Sequence, residues 1–335
     1  MLPRRGIDCQ TDAWKRELAR SFTQVDALLA FLGLDRADVP GLDPEPGPFG
    51  ILVPRGFAAL MARADPGDPL LRQVLSLSAE RAQVAGYVRD PVDDASAEQR
   101  PGLLRKYSGR ALLVTTGACA IHCRYCFRRH FPYQDLGPSQ SRWDRALTEI
   151  ARDETLTEVI LSGGDPLMVE DGALADLARR LAGIVHLRRW RLHSRLPVVL
   201  PSRITDRLGA ILTQGRLPTV LVIHANHPRE LGEEAREALL RLDVAGVTLL
   251  NQSVLLRGVN DDAGTLIDLS ERLFDCRVRP YYLHRLDPVE GAAHFQVSEH
   301  EAMRLIETMR GRMPGYLVPN LVREIPGAPS KQRVA

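Results

Sequence analysis

The chain has 335 residues, 44% hydrophobic and 26% charged, an ordinary globular composition with room for one large domain or two small ones. A formal net charge of +2 gives no global pull toward nucleic acid or an anionic membrane, and no apolar run reaches the roughly eighteen residues of a membrane span. Met1-Leu2-Pro3-Arg4-Arg5-Gly6 lacks the apolar stretch of a secretory signal, so the sequence predicts a cytoplasmic protein.

Residues 1–100 read as a helical N-terminal region. Trp14, Leu18, Phe22, Val25, Leu28, Leu29 and Leu32 recur at helical spacing and predict a helix over Asp12–Leu32. Pro40 to Pro48 is loop, short helices resume at Gly56–Ala62 and Pro69–Leu77, and Asp90-Pro91-Val92-Asp93-Asp94 reads as a polar link. From Arg110 the rhythm changes. Strands are predicted at Ala111–Thr116, Glu158–Leu161, Trp190–His193, Thr219–His224, Val247–Asn251 and Val278–Leu283. Helices are predicted at Arg142–Arg152, Leu174–Ile184, Arg203–Gln214, Gly232–Leu242, Thr265–Phe274 and His300–Met309. A last apolar piece, Tyr316–Val322, leads into a Pro/Gly-rich tail.

Six strand–helix units in this order imply a parallel sheet with helices outside, either doubly wound or curled into a barrel. The unusual residues all follow strands, which favours a barrel mouth. The expected fold is therefore α/β, a partial (βα)6 TIM-like barrel over residues 101–315. The helical region precedes it, and a tail over 316–335 follows.

Five cysteines are present, Cys9, Cys119, Cys123, Cys126 and Cys276, an odd number and a poor disulfide framework. Cys119, Cys123 and Cys126 form a C-x3-C-x2-C loop after the first barrel strand. Three thiolates with no fourth suit an iron–sulfur cubane that keeps one iron open. Zinc, with His122 or His130 as fourth ligand, is left open by the spacing alone. Cys9 fits no ligand pattern, and Cys276 reads as a core residue. Arg188, Arg189, Arg191 and Arg195 cluster locally and read as a solvated face with a few functional contacts.

One βα unit later comes Ser162-Gly163-Gly164-Asp165-Pro166. The pair of motifs resembles the radical S-adenosylmethionine (SAM) superfamily, with its cluster loop and its glycine-rich SAM turn. Longer runs narrow the resemblance. Gly109-Arg110, Cys123-Arg124-Tyr125-Cys126-Phe127-Arg128-Arg129, Leu196-Pro197-Val198-Val199-Leu200-Pro201, Asn226-His227-Pro228, Asn251 to Asp261, Arg279-Pro280-Tyr281-Tyr282 and Pro326 to Lys331 resemble the lysine 2,3-aminomutase family. The likeness runs from about Tyr107 to Lys331.

That resemblance implies three cofactors: a 4Fe-4S cluster on Cys119, Cys123 and Cys126, SAM, and pyridoxal 5'-phosphate (PLP) on Lys331. It sets Arg110, Lys106 and Tyr107 at the PLP, with Lys106 where the family carries arginine, a cation without the fork geometry. It sets Ser162, Gly163, Gly164, Asp165, Ser194, Arg195, His224 and Gln252 at SAM. Arg128 takes the substrate carboxylate, a task suited to a bidentate guanidinium. Asp287 and Glu324 take the ε-ammonium of lysine, with glutamate at 324 where lysine enzymes carry aspartate. Two acids favour a cationic substrate over glutamate.

The implied reaction is conversion of L-α-lysine to (R)-β-lysine. The chain stops four residues after Lys331, and this short tail with Trp14-Lys15-Arg16-Glu17-Leu18 resembles the branch that supplies β-lysine for elongation factor P. The implied partners are free lysine, an electron donor such as flavodoxin or ferredoxin, and a separate elongation factor P ligase, with homo-oligomerisation left open. The rival readings are a stand-alone aminomutase of metabolism, acting on lysine or another amino acid, and a non-catalytic cluster or zinc protein.

Overall fold

The alternation that begins at Arg110 curls seven parallel strands around a lumen, one more than the sequence predicts. The computed structural model describes residues 13–44, 47, 49–136 and 139–334. Cys9 and the start of the first predicted helix lie outside them. That helix is two helices, α1 (13–19) and α2 (Val25–Leu32). Between them Phe22 exchanges backbone hydrogen bonds with Val53 at 2.8 and 3.0 Å, which an unbroken helix would forbid. Next come α3 (Arg55–Ala58) and α4 (Pro69–Arg72), both shorter than predicted. Asp68 caps α4, accepting from the amides of Leu70 and Leu71, with Pro69 in the first turn. The stretch read as a polar link, Asp90 to Asp94, runs directly into a short helix, α5 (Asp94–Ala97).

Two short strands, β1 (Glu98–Arg100) and β2 (Leu103–Leu104), add antiparallel to the sheet's first edge. The barrel runs β3 (Arg110–Thr116), α6 (Ser139–Arg152), β4 (Glu158–Gly163), α7 (Asp171–Ala182), β5 (Arg189–Ser194), α8 (Leu196–Val199), α9 (Asp206–Thr213) and β6 (Thr219–Ile223). It continues with α10 (Glu233–Val244), β7 (Thr248–Val254), α11 (Ala263–Asp275), β8 (Arg279–His284), α12 (Glu299–Arg312) and β9 (Asn320–Arg323). The apolar piece predicted at Tyr316–Val322 supplies β9, which pairs parallel with β8. β10 (Gln332–Arg333) then folds back antiparallel on β9. The helix predicted from Arg203 starts at Asp206, because Pro201–Arg203 forms a 3-10 turn and Thr205 caps the helix through the Leu208 amide at 3.1 Å.

The ten strands lie in sequence order, and among the described residues no pairing joins β1 to β10, so the barrel is open. Alternation along each strand sorts the side chains. Val159, Leu161, Leu192, Leu221, Ile223 and Leu249 face outward and pack on Leu177, Leu181, Leu208, Leu239 and Leu242 of the helices. The same hydrophobic cluster takes in Trp14, Phe22, Leu28 and Leu71, so the N-terminal helices and the barrel share one core. The alternate set, including Ile160, Ser162, Arg191, His193, His224, Gln252, Tyr282 and His284, lines the lumen. Cys276 is a fully buried core residue, as expected. No helix among the described residues is long and apolar enough to cross a membrane.

Candidate active site

The cysteine loop leaves the C-terminal end of β3 and is gripped from outside by the N-terminal region. The His122 amide donates to Leu52 O at 3.0 Å and the Arg124 amide to Gln73 O at 2.8 Å. Arg124, 2% exposed, bonds the Phe49 carbonyl and pairs with Glu80, which also pairs with Arg129. Each candidate fourth ligand for zinc has one ring nitrogen bonded to a backbone carbonyl. His122 Nδ1 bonds Gly50 O at 2.8 Å while its ring stacks on Phe49, and His130 bonds Glu290 O at 3.2 Å. No three His, Cys, Asp or Glu side chains among the described residues gather closely enough for a single metal ion. A cluster does not ask for that, since each thiolate takes a different iron. Burial, then the neighbouring thiols, pushes the Cys119 thiol well up, and burial followed by Cys123 pushes Cys126 up to about 11. Two thiols, Cys119 and Cys126, that resist becoming thiolates unaided fit a site completed by cationic iron.

Gly163 and Gly164 lock the end of β4 onto this loop. A Cβ at Gly163 would lie 2.4 Å from Thr116 O, and one at Gly164 would lie 2.2 Å from Ala118 O. Gly163 also has φ +129, which side chains rarely adopt. The Gly164 and Asp165 amides donate to those carbonyls at 2.7 and 2.8 Å. The glycines thus permit close contact between the end of β4 and the cysteine loop. Asp165 braces the next strand: it accepts from Ser194 Oγ and from the Arg195 amide, both at 2.7 Å, and from the Leu167 and Leu196 amides. Burial pushes its carboxyl up to about 6. Gln252 Nε2 lies 2.9 Å from His224 Nε2 in the lumen, and burial lowers His224 to about 3, so it stays neutral.

Arg195 is no part of a solvated face. It is 6% exposed, and its guanidinium donates to Cys123 Sγ and Gln73 Oε1 at 2.7 Å and to Glu230 Oε2 at 2.9 Å.

At the far corner the tail returns to the barrel. The β9–β10 hairpin sets Lys331 opposite Glu324, with Nζ 2.6 Å from Oε2. Tyr107 donates its hydroxyl to the other Glu324 oxygen, and the Arg110 guanidinium lies 4.9 Å over the Tyr107 ring. Burial works against ionisation of Glu324, but Lys331, Tyr107 and Lys106 outweigh it and hold the carboxyl below its ordinary value. Asp287 goes the other way: burial pushes it up to about 6, with Lys331 opposing and Glu324 adding to the rise. A part-buried lysine beside a tyrosine and an arginine fits a PLP site.

Arg128, 8% exposed, bonds Asp94 through Nε at 2.6 Å and Ser162 Oγ through Nη1 at 3.0 Å. Lys106 reaches the second oxygen of Asp94 at 2.7 Å and also bonds the Val92 carbonyl. Lys106, expected at a phosphate beside Arg110, therefore has its ammonium directed at Asp94 and the Arg128 corner. Asp94 was missed in the sequence because it sits in a polar, turn-rich stretch. Gln73 left a fainter trace, a lone amide within the apolar run Leu70 to Leu75. Glu230 left none.

The 4Fe-4S single cluster domain family matches residues 108–189. The L-lysine 2,3-aminomutase of Haemophilus influenzae is 44% identical over 331 residues, covering 99% of this chain and 98% of that protein. The chain belongs to the L-lysine 2,3-aminomutase family. The Escherichia coli member is 47% identical over 320 residues, covering 95% of this chain and 93% of that one. The Clostridium subterminale member is longer: 35% identity over 328 residues covers 98% of this chain and 79% of the relative.

Proposed function

We propose that this chain is an isomerase that converts L-α-lysine to (R)-β-lysine with a 4Fe-4S cluster, SAM and PLP. The observation that carries the reading is the Lys331 corner: one amine, held by one carboxylate and faced by a second, in a barrel whose mouth carries three cysteines. When bound, cluster and SAM supply a radical that takes hydrogen from lysine Cβ, and PLP carries the nitrogen from C2 to C3.

The chain's own residues bind, orient and exclude water. Cys119, Cys123 and Cys126 hold three irons, and Lys331 holds PLP with Tyr107, Arg110 and Lys106 around it. Ser162, Gly163, Gly164, Asp165, Ser194, Arg195, His224 and Gln252 form the SAM side, with Asp165 and Ser194 fixing the loops. Arg128, aimed by Asp94, takes the substrate carboxylate, and Asp287 and Glu324 take its ammonium. Residues 1–100 act as a clasp, 101–315 as the barrel and 316–335 as the arm that brings the lysine.

The product would go to a separate ligase that modifies elongation factor P, with electrons from a flavodoxin or ferredoxin, in the cytoplasm. The support for this branch is the near full-length match to the shorter relatives. The test is anaerobic, cluster-loaded enzyme with SAM, PLP, reductant and lysine, followed by chiral product analysis. Lys331→Ala should lose the absorbance band of covalently held PLP and all β-lysine formation; a retained band would overturn the assignment.

A further inference from the structure

Behind the cysteine loop lies a sealed polar network that substrate and PLP do not need. Gln73 and Glu230 are fully buried and Asn226 is 1% exposed. Glu230 Oε1 accepts from Gln73 Nε2 at 2.9 Å and from the Asn226 and His227 amides at 3.0 and 3.1 Å. Gln73 Oε1 accepts from Asn226 Nδ2 at 3.0 Å and the Tyr125 hydroxyl at 3.3 Å. All of this converges on Arg195. Its Nη2 is divided between Gln73 and Glu230, its face lies over the Tyr125 and Phe57 rings, and its Nη1 meets Cys123 Sγ. A guanidinium so fixed keeps one orientation.

We infer that Arg195, held by Glu230 and Gln73, sets the reduction potential of the cluster through Cys123. The inference rests on the cysteine triad being the cluster's ligands. Reduction adds one negative charge to the cluster. A buried cation with a hydrogen bond to one ligating sulfur stabilises the reduced state, and the anion behind that cation tempers it. Arg195 acts on the cluster, while Glu230 and Gln73 are positioning residues. The N-terminal region gains a part in the chemistry, because Gln73 comes from it.

The test is the midpoint potential of reconstituted enzyme without SAM, so that contact with SAM plays no part. Arg195→Gln should lower the reduced-to-oxidised ratio at fixed poise about tenfold, a shift of about 59 mV to the negative for a one-electron couple. Arg195→Lys should restore part of it. Glu230→Gln should shift the potential the opposite way, and Gln73→Glu should shift it negative. The last two leave Cys123 and Arg195 in place, so they decide the matter if Arg195→Gln holds no iron. Unmoved potentials, shifts of one sign for both Glu230→Gln and Gln73→Glu, or an Arg195→Gln effect confined to SAM affinity would each overturn the inference. Failure of the triad reading is separate: wild-type protein would then hold no four-iron cluster.

Discussion

Burial pushes the Asp287 carboxyl up to about 6, while Lys331, Tyr107 and Lys106 keep Glu324 ionised well below that. An acid raised in this way is neutral below its pKa and offers an ammonium no charge. Lysine, whose ε-amine stays protonated to about 10, should therefore bind more tightly as pH rises through 6, then level off. Attachment of PLP removes a cation that now lowers Asp287, so the inflection in the loaded enzyme should lie at 6 or above. Lysine titrations from pH 5 to 8, read from the bound-PLP spectrum, check this. Asp287→Asn should flatten the profile, and a wild-type affinity independent of pH would refute the assignment. Residue type and spacing made these acids legible, but not their opposite titration, which depends on who lies beside each one.

At the scale of elements, the turn after β4 leaves no room for a side chain. A Cβ on Gly164 would meet both Ala118 O and the Gly117 carbonyl carbon, backbone that cannot swing aside. Gly164→Ala should cost about 2–4 kcal/mol and reduce iron retention, measured by denaturant unfolding and iron content per chain. Wild-type iron retention would show that the cysteine loop does not depend on this contact. The barrel's strands and helices were legible because β-branched runs alternate with amphipathic ones over many residues. β1, β2 and β10 were not, since two or three residues carry no period. The break at Phe22 was hidden for another reason: its apolar spacing is helical, and only an isolated bridge to the distant Val53 claims its backbone.

At the scale of the molecule, the N-terminal region is a clasp fastened by buried charge. Glu80 alone faces both Arg124 and Arg129, whose side chains are 2% and 7% exposed. Burial opposes its ionisation, but the two guanidinia outweigh this and depress its pKa, so its stabilising charge is present above the ordinary glutamate value and lost as pH falls. Glu80→Gln strands two buried cations and should cost about 3–5 kcal/mol, seen as a lower denaturant midpoint with an unchanged slope. A midpoint equal to wild type would mean that the clasp is held by its apolar contacts alone.

Strands β1 to β10 stand side by side in the order in which the chain delivers them. Each can add to an edge already made, and each parallel pairing joins strands that follow one another in the chain. The clasp cannot form on that schedule. Gln73 must wait for Glu230, and Val88 for Pro288, so segments synthesised early are docked late. Until the clasp docks, the Leu52 and Gln73 carbonyls that grip the cysteine loop from outside are not in place, so the wall of the metal site is finished last.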